Sequence, residues 1–583
     1  MRAGAAARVR RALALLAEDA RPEAWITLRP ARELLAEAAV TDARTAAGEQ
    51  LPLAGQVFAV KDNIDVAGLP TTAGCPSFAY QPRVSAPAVA RLAAAGAIVV
   101  GKTNLDQFAT GLVGTRSPYG AVRAVHDPAR ISGGSSSGSA VAAALGIVDF
   151  ALGTDTAGSG RIPAAFAGVV GLKPTIGLVP TDGVVPAARP FDCVSVFAPS
   201  LRIAETAAAV MAAGADTATT RTWPADAPLA ASPTPRIAIP EASALDGLSD
   251  TWRAAFADAA ERLRAAGATL VPVDIEPFLQ AAELLYGGGF AAERFAAVGA
   301  FIAADSDDID PSVRGIIGGA EHLPAHRYAE DLGRLAQLRW QAMERIEDCE
   351  ALLLPTAPEH PTLAEVAADP IGVNSRLGRF TNFVNLLDLS AVAVPAGTVD
   401  GGPFGVTVVA RAFADRVAAD IAALFAPEPA ADSPDSGWGP PGLPLAVFGA
   451  HLTGQPLNSQ LTRLGARLLR PVRTAAHYRM VALPGTPPRP GLLRVPAARQ
   501  GRSFAGELWA LPPAALGRFL AALPEPMTLG RVRLDDGTTA TGFLCESHAA
   551  VESPDISEYQ DWRIYLHHHD TSAAAGSDER SPV

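Results

Sequence analysis

Three short segments carry the side chains best suited to nucleophilic chemistry. Lys61 lies in Ala59-Val60-Lys61-Asp62-Asn63, Ser135 in Gly133-Gly134-Ser135-Ser136-Ser137-Gly138-Ser139, and Ser159 in Gly153-Thr154-Asp155-Thr156-Ala157-Gly158-Ser159-Gly160-Arg161. Serine is a weak nucleophile and needs a base within hydrogen-bond reach. Neither serine segment contains a histidine, so a Ser-His-Asp arrangement has no local support. A lysine can act as the base once burial lowers its pKa. The glycines of both loops let backbone N–H groups approach a substrate oxygen, as an oxyanion hole requires. An exposed Gly/Ser-rich loop is the ordinary alternative for such composition. Two such loops together with the lysine block favour the catalytic reading.

Residues 133–175, ending in Gly171-Leu172-Lys173-Pro174-Thr175, resemble the amidase signature family, whose catalytic unit is Ser–cis-Ser–Lys. The resemblance implies Ser159 as nucleophile, Ser135 as bridging serine and Lys61 as base. It also implies a cis Gly134-Ser135 peptide and an oxyanion hole from the backbone N–H groups of Thr156, Ala157 and Gly158. Residues 65–73, 101–120 and 404–410 resemble one branch of that family, the allophanate hydrolases. That likeness implies hydrolysis of allophanate with release of ammonia, no cofactor, no metal, a homodimer, and a functional link to a biotin-dependent urea carboxylase. Rival readings are another small-amide amidase, such as an indoleacetamide hydrolase or an amidotransferase subunit, and a silent amidase fold used as a scaffold.

Allophanate is small, planar and anionic, and arginine binds a carboxylate through two parallel N–H groups. In the family a tyrosine and an arginine eight residues apart do this, and Tyr286 and Arg294 match that spacing. Eight residues of helix make about 2.2 turns, which predicts both side chains on one helical face. Gly288-Gly289-Phe290 stands where the family more usually has Gly-Pro-Trp, and is expected to loosen the backbone there.

These residues need a frame. From 52 to about 425, short β-branched runs alternate with Ala/Leu-rich helical stretches, which predicts an α/β fold: a mixed central sheet flanked by helices. Residues 96–102 read as a buried strand after a helix over 86–95. The stretches 169–172 and 391–395 read as further strands. Residues 427–444 are dense in proline and small polar residues and read as a linker. The expected organisation is an amidase domain over 1–426, this linker, a β-rich domain over 445–568 and a disordered tail over 569–583. The β-rich part, with strands near 445–451, 478–483, 491–495, 503–511 and 538–545, is similar to the second domain of allophanate hydrolases and to γ-glutamyl cyclotransferase-like barrels. A lone histidine such as His451 is usually a satisfied core residue. The resemblance implies a catalytic role instead, aiding decarboxylation of N-carboxycarbamate, with assembly as the domain's alternative purpose.

Composition narrows the field. A 583-residue chain is too long for one ordinary core. The formal net charge of −12 disfavours nucleic acid as a partner. Four scattered cysteines point to a reducing compartment rather than to zinc or disulfides. Residues 1–28 have a short Ala/Leu run closed by Glu18, Asp19 and Glu23, which reads as an amphipathic helix rather than a signal peptide. No uninterrupted apolar stretch of about 18 residues occurs, so a membrane span is not expected and a cytoplasmic location is.

Overall fold

The computed structural model describes residues 4–18, 21–214, 219–304, 306–426, 436–496 and 500–577. The chain divides into two compact units: residues 1–222 with 234–439, and residues 223–233 with 440–583.

The first unit is built on an eleven-stranded mixed sheet. Its strands are β1 (Trp25–Leu28), β2 (Val57–Lys61), β3 (Ile98–Thr103), β4 (Phe150–Asp155), β5 (Val170–Lys173), β6 (Cys193–Ala198), β7 (Arg236–Pro240), β8 (Thr269–Val273), β9 (Ala351–Pro355), β10 (Leu389–Val399) and β11 (Gly402–Arg411). Their order is β1-β3-β2-β4-β6-β5-β10-β11-β9-β7-β8. β2 and β4 are buried at every position, the pattern of strands covered on both faces. They are parallel neighbours with Val60 opposite Leu152, so Lys61 and Thr154 leave the sheet at the same edge. Each strand then runs into a loop, and those two loop entries define the site. The N-terminal helix Ala5–Glu18 buries Ala5, Val9 and Ala12, an i, i+4, i+7 stripe, against the core that holds Leu34 and Ala38.

The second unit has a five-stranded sheet and a two-stranded ribbon. The sheet strands are β12 (Leu443–Val447), β13 (Arg467–Arg473), β16 (Ala505–Leu511), β17 (Met527–Arg533) and β18 (Thr539–Cys545), in the order β13-β16-β12-β18-β17. The ribbon pairs β14 (Tyr478–Leu483) with β15 (Arg489–Arg494). The two edge strands meet at one end: Ala475 N–H donates to Arg533 O at 2.9 Å and Asp535 N–H to Arg473 O at 3.0 Å. The sheet thus curls towards a barrel.

Three expectations change here. β12 begins at Leu443, inside the expected linker, while residues 427–435 of that linker lie outside the described residues. A helix runs over Trp562–Ser577, where a frayed tail from 569 was expected. Its start is held by the fully buried Trp562, and the rings of Tyr559 and Tyr565 meet those of His568 and His569. Residues 223–233, in sequence far from this unit, belong to it: Leu229 N–H donates to Gly465 O at 2.8 Å, and Arg467 Nε donates to Leu229 O at 2.7 Å. No helix among the described residues is long and apolar enough to cross a membrane.

Candidate active site

Lys61 ends β2 fully buried, and its Nζ donates to Ser135 Oγ at 2.8 Å and to Thr154 Oγ1 at 2.8 Å. Ser135 Oγ donates to Ser159 Oγ at 3.0 Å. The Gly134-Ser135 peptide is cis. Burial pushes the Lys61 ammonium down to about 7, against the opposing charges of Asp106, Asp155 and Asp192. An amine with that pKa exists in both protonation states near neutral pH, the condition a general base requires. Reversing the proton direction in the same two contacts carries the Ser159 proton through Ser135 to Lys61.

Two carboxylates hold the serine loops. Asp155, at the end of β4, forms a buried two-point pair with Arg161, both bonds at 2.9 Å, and also accepts the N–H groups of Gly158 and Gly160. Asp106 accepts the N–H groups of Val113, Gly114 and Arg116, fixing the loop against which the Ser135 loop lies. Asp106 N–H donates to Ser135 O at 3.2 Å and Gly134 N–H to Leu112 O at 2.8 Å. A Cβ at Gly134 would overlap the Asp106 carboxylate, so the close approach requires glycine. Gly158 has φ +127° and faces the Thr381 side chain with no room for a Cβ. Its N–H bonds Asp155 Oδ1 at 2.9 Å, which departs from the expected oxyanion role and leaves Thr156 and Ala157 as the candidates.

Tyr286 and Arg294 come together, but not on one helical face. The helix Glu276–Gly287 ends just after Tyr286, and Arg294 belongs to the next helix, Ala291–Ala303. The intervening glycines pin the break rather than loosen it. Gly289 N–H donates to Asp331 Oδ2 at 2.6 Å, and a Cβ at Gly288 or Gly289 would overlap Asp331 or the Tyr328 backbone. Arg294 is 2% exposed. Its guanidinium carbon lies 4.9 Å from the centre of the Tyr286 ring, Nη2 donates to Tyr286 OH at 3.3 Å and Nη1 to Thr110 Oγ1 at 3.1 Å. Arg294 Nε is buried without a partner, and Arg294 makes no ion pair among the described residues. Thr110 lies in the same loop that bonds the Gly134-Ser135 backbone. Tyr286 also lines a cavity of about 660 Å³ with Gly378 and Asn382.

Sequence reasoning missed Thr154, Thr110 and the Asp106 loop. The parallel register of β2 and β4 could have suggested Thr154; nothing local marks the others. His451 lies in the second unit, stacked on Phe543 with its Nε2–H donating to Gln460 Oε1 at 2.9 Å. No cluster of metal-ligating side chains occurs among the described residues, His567 to His569 included.

A hydrogen-bonded serine–serine–lysine chain at the ends of adjacent parallel strands of a mixed α/β sheet is chemically able to pass a proton from a serine to a lysine. Residues 10–417 match the Amidase family model and residues 443–567 match the Allophanate hydrolase C-terminal domain. The chain belongs to the amidase family. It is similar to the solved structure of Kluyveromyces lactis allophanate hydrolase, with 38% identity, a TM-score of 0.87 and 97% of each chain covered. It is 41% identical to the urea amidolyase of Lachancea kluyveri over 95% of this chain, and 40% identical to that of Saccharomyces cerevisiae over 93%. It spans about a third of the length of these two relatives, 32% and 31%.

Proposed function

We propose that the protein hydrolyses allophanate in the first unit and decarboxylates the product in the second. The observation that carries the substrate assignment is Arg294: a buried guanidinium with no ion pair among the described residues, supported by Tyr286 and joined through Thr110 to the loop of Ser135. A buried cation without a counter-charge is costly, and an anionic substrate supplies the missing partner.

Neutral Lys61 accepts a proton from Ser135 as Ser135 accepts one from Ser159, and Ser159 Oγ attacks the amide carbonyl. The N–H groups of Thr156 and Ala157 receive the oxyanion. Collapse breaks the C–N bond, the proton returns through Ser135 to the leaving nitrogen, and ammonia departs. Water then resolves the acyl-enzyme by the same relay, giving N-carboxycarbamate. In the second unit, protonated His451 donates to the nitrogen of that dianion as its C–N bond breaks and carbon dioxide leaves. The carbamate left behind falls apart to ammonia and carbon dioxide. Carboxylation of urea by a biotin-dependent enzyme supplies the substrate; the longer relatives' name, urea amidolyase, supports urea as the starting compound and says nothing further.

The experiment is ammonia release from allophanate against indoleacetamide, propionamide and glutamine. Allophanate should exceed each by at least 10²-fold in kcat/KM; a neutral amide turned over equally well would overturn the reading.

A further inference from the structure

The proposed substrate is held at two points of the first unit, its carboxylate at Arg294 and its amide carbonyl at Ser159. The single N–H group between those ends crosses the space from one to the other. Residues 378–382 border that space. Thr381 lies against the nucleophile loop: a Cβ at Gly158 would overlap its side chain, and Arg161 Nη2 donates to Thr381 O at 3.1 Å. The next residue, Asn382, lines the cavity of about 660 Å³ together with Tyr286, whose OH accepts from Arg294 Nη2 at 3.3 Å. Asn382 thus has the nucleophile loop on one side and the tyrosine of the guanidinium on the other. Gly378 gives its amide room, since a Cβ there would overlap that amide.

Asn382 is 7% exposed, and its Oδ1 is buried with no hydrogen-bond partner among the described residues. Asn385, one helical turn further on, shows the contrast. Its Nδ2 donates to Asp155 O at 2.8 Å and to Phe191 O at 2.9 Å, and its Oδ1 accepts from Arg161 Nη2 at 3.2 Å. Asn385 spends its whole amide on holding the serine loop, whereas the Asn382 carbonyl is left over on a cavity wall. Buried polar atoms are nearly always satisfied, so a leftover acceptor there marks the place of a ligand donor. An amide oxygen only accepts, and a carboxylate offers no donor, so the anionic end of the substrate is not its partner.

We propose that Asn382 is a specificity-determining residue whose Oδ1 accepts the central N–H of a ureido carboxylate. The inference rests on allophanate as the substrate of this site. Arg294 selects for the charge, and Asn382 selects for nitrogen over carbon between the two carbonyl groups. A site built around such a bond rejects an analogue without the donor, because the carbonyl then stays buried and unpaired.

The test uses malonamate, which keeps the carboxylate and terminal amide of allophanate and has a methylene in place of the N–H. Two quantities are read in the full chain: kcat/KM for ammonia release from allophanate, and the inhibition constant of malonamate against that reaction. Asn382→Leu and Asn382→Ala should each lower the first at least tenfold and leave malonamate binding unchanged or tighter. Arg294→Ala should weaken both alike, since both compounds carry the carboxylate. If Arg294→Ala alters neither quantity while the Asn382 variants separate them, the N–H contact stands and the carboxylate clamp falls. Equal weakening of both, or no change in either, in the two Asn382 variants with native melting profiles would overturn the inference.

Discussion

In the first unit each side chain of the serine–lysine relay is fixed by another within hydrogen-bond distance, whereas in the second His451 has one polar side-chain partner and two aromatic neighbours. The first site is carried by loops that leave adjacent parallel strands and are clamped by Asp106 and Asp155. The second is a pocket whose walls come from residues spread between Val447 and Phe543. The difference teaches that the two proposed steps make unlike demands. Proton relay to a serine needs atoms placed to fractions of an ångström. Loss of carbon dioxide needs mainly a field, apolar walls and one proton donor. Substitutions should therefore be abrupt in the first unit and graded in the second.

The largest effect is expected for Ser159→Ala, which should lower kcat for ammonia release roughly 10³–10⁶-fold. Near-native turnover in that variant would break the comparison at its firmer end. Next comes His451→Ala, measured by the delay between first ammonia and carbon dioxide. Loss of a general acid should slow the second step roughly 10²-fold or more, and an unaltered delay would return the second unit to an assembly role. Thr154→Val should be milder. It removes one hydrogen bond to Lys61 and one to Asn63 Nδ2 but leaves Ser135 in place. A loss of about 1–2 kcal/mol, seen as a lower kcat with KM little changed, is the expected scale. A collapse as complete as that of Ser159→Ala would show Thr154 to be part of the relay itself. The smallest effect is one of pH. Burial holds Lys61 at about 7, and the reactive form is the neutral amine. The kcat/KM for the amide step should therefore climb as pH rises through about 7 and level off above it. A profile still climbing at pH 9 would mean that Lys61 keeps an ordinary lysine pKa.

The sequence revealed these regions unevenly, for physical reasons. Ser135 and Ser159 sit in short segments whose glycines and serines record tight loop geometry, and with the Lys61 block they made a candidate site legible in the sequence. Tyr286 and Arg294 were paired by their match to the family's spacing, and they do meet, but across a break pinned by Asp331 that joins two helices where one was expected. β13 (Arg467–Arg473) escaped notice because an edge strand carrying three arginines and a proline lacks the alternation of a half-buried strand. Residues 223–233 show no sign of belonging to the second unit, since contacts across more than 200 residues leave no local pattern.

The account rests most heavily on Arg294 as the partner of an anionic substrate, and biuret tests it directly, since it replaces the allophanate carboxylate with a neutral amide. The decisive quantity is the ratio of kcat/KM for allophanate to that for biuret, in the native protein and in Arg294→Ala. The predicted native ratio is large and falls by the equivalent of about 2–5 kcal/mol in the variant, the cost of truncating one partner of a buried charge pair. Equal losses on both substrates, leaving the ratio unchanged, would contradict the account and make Arg294 a support of the fold.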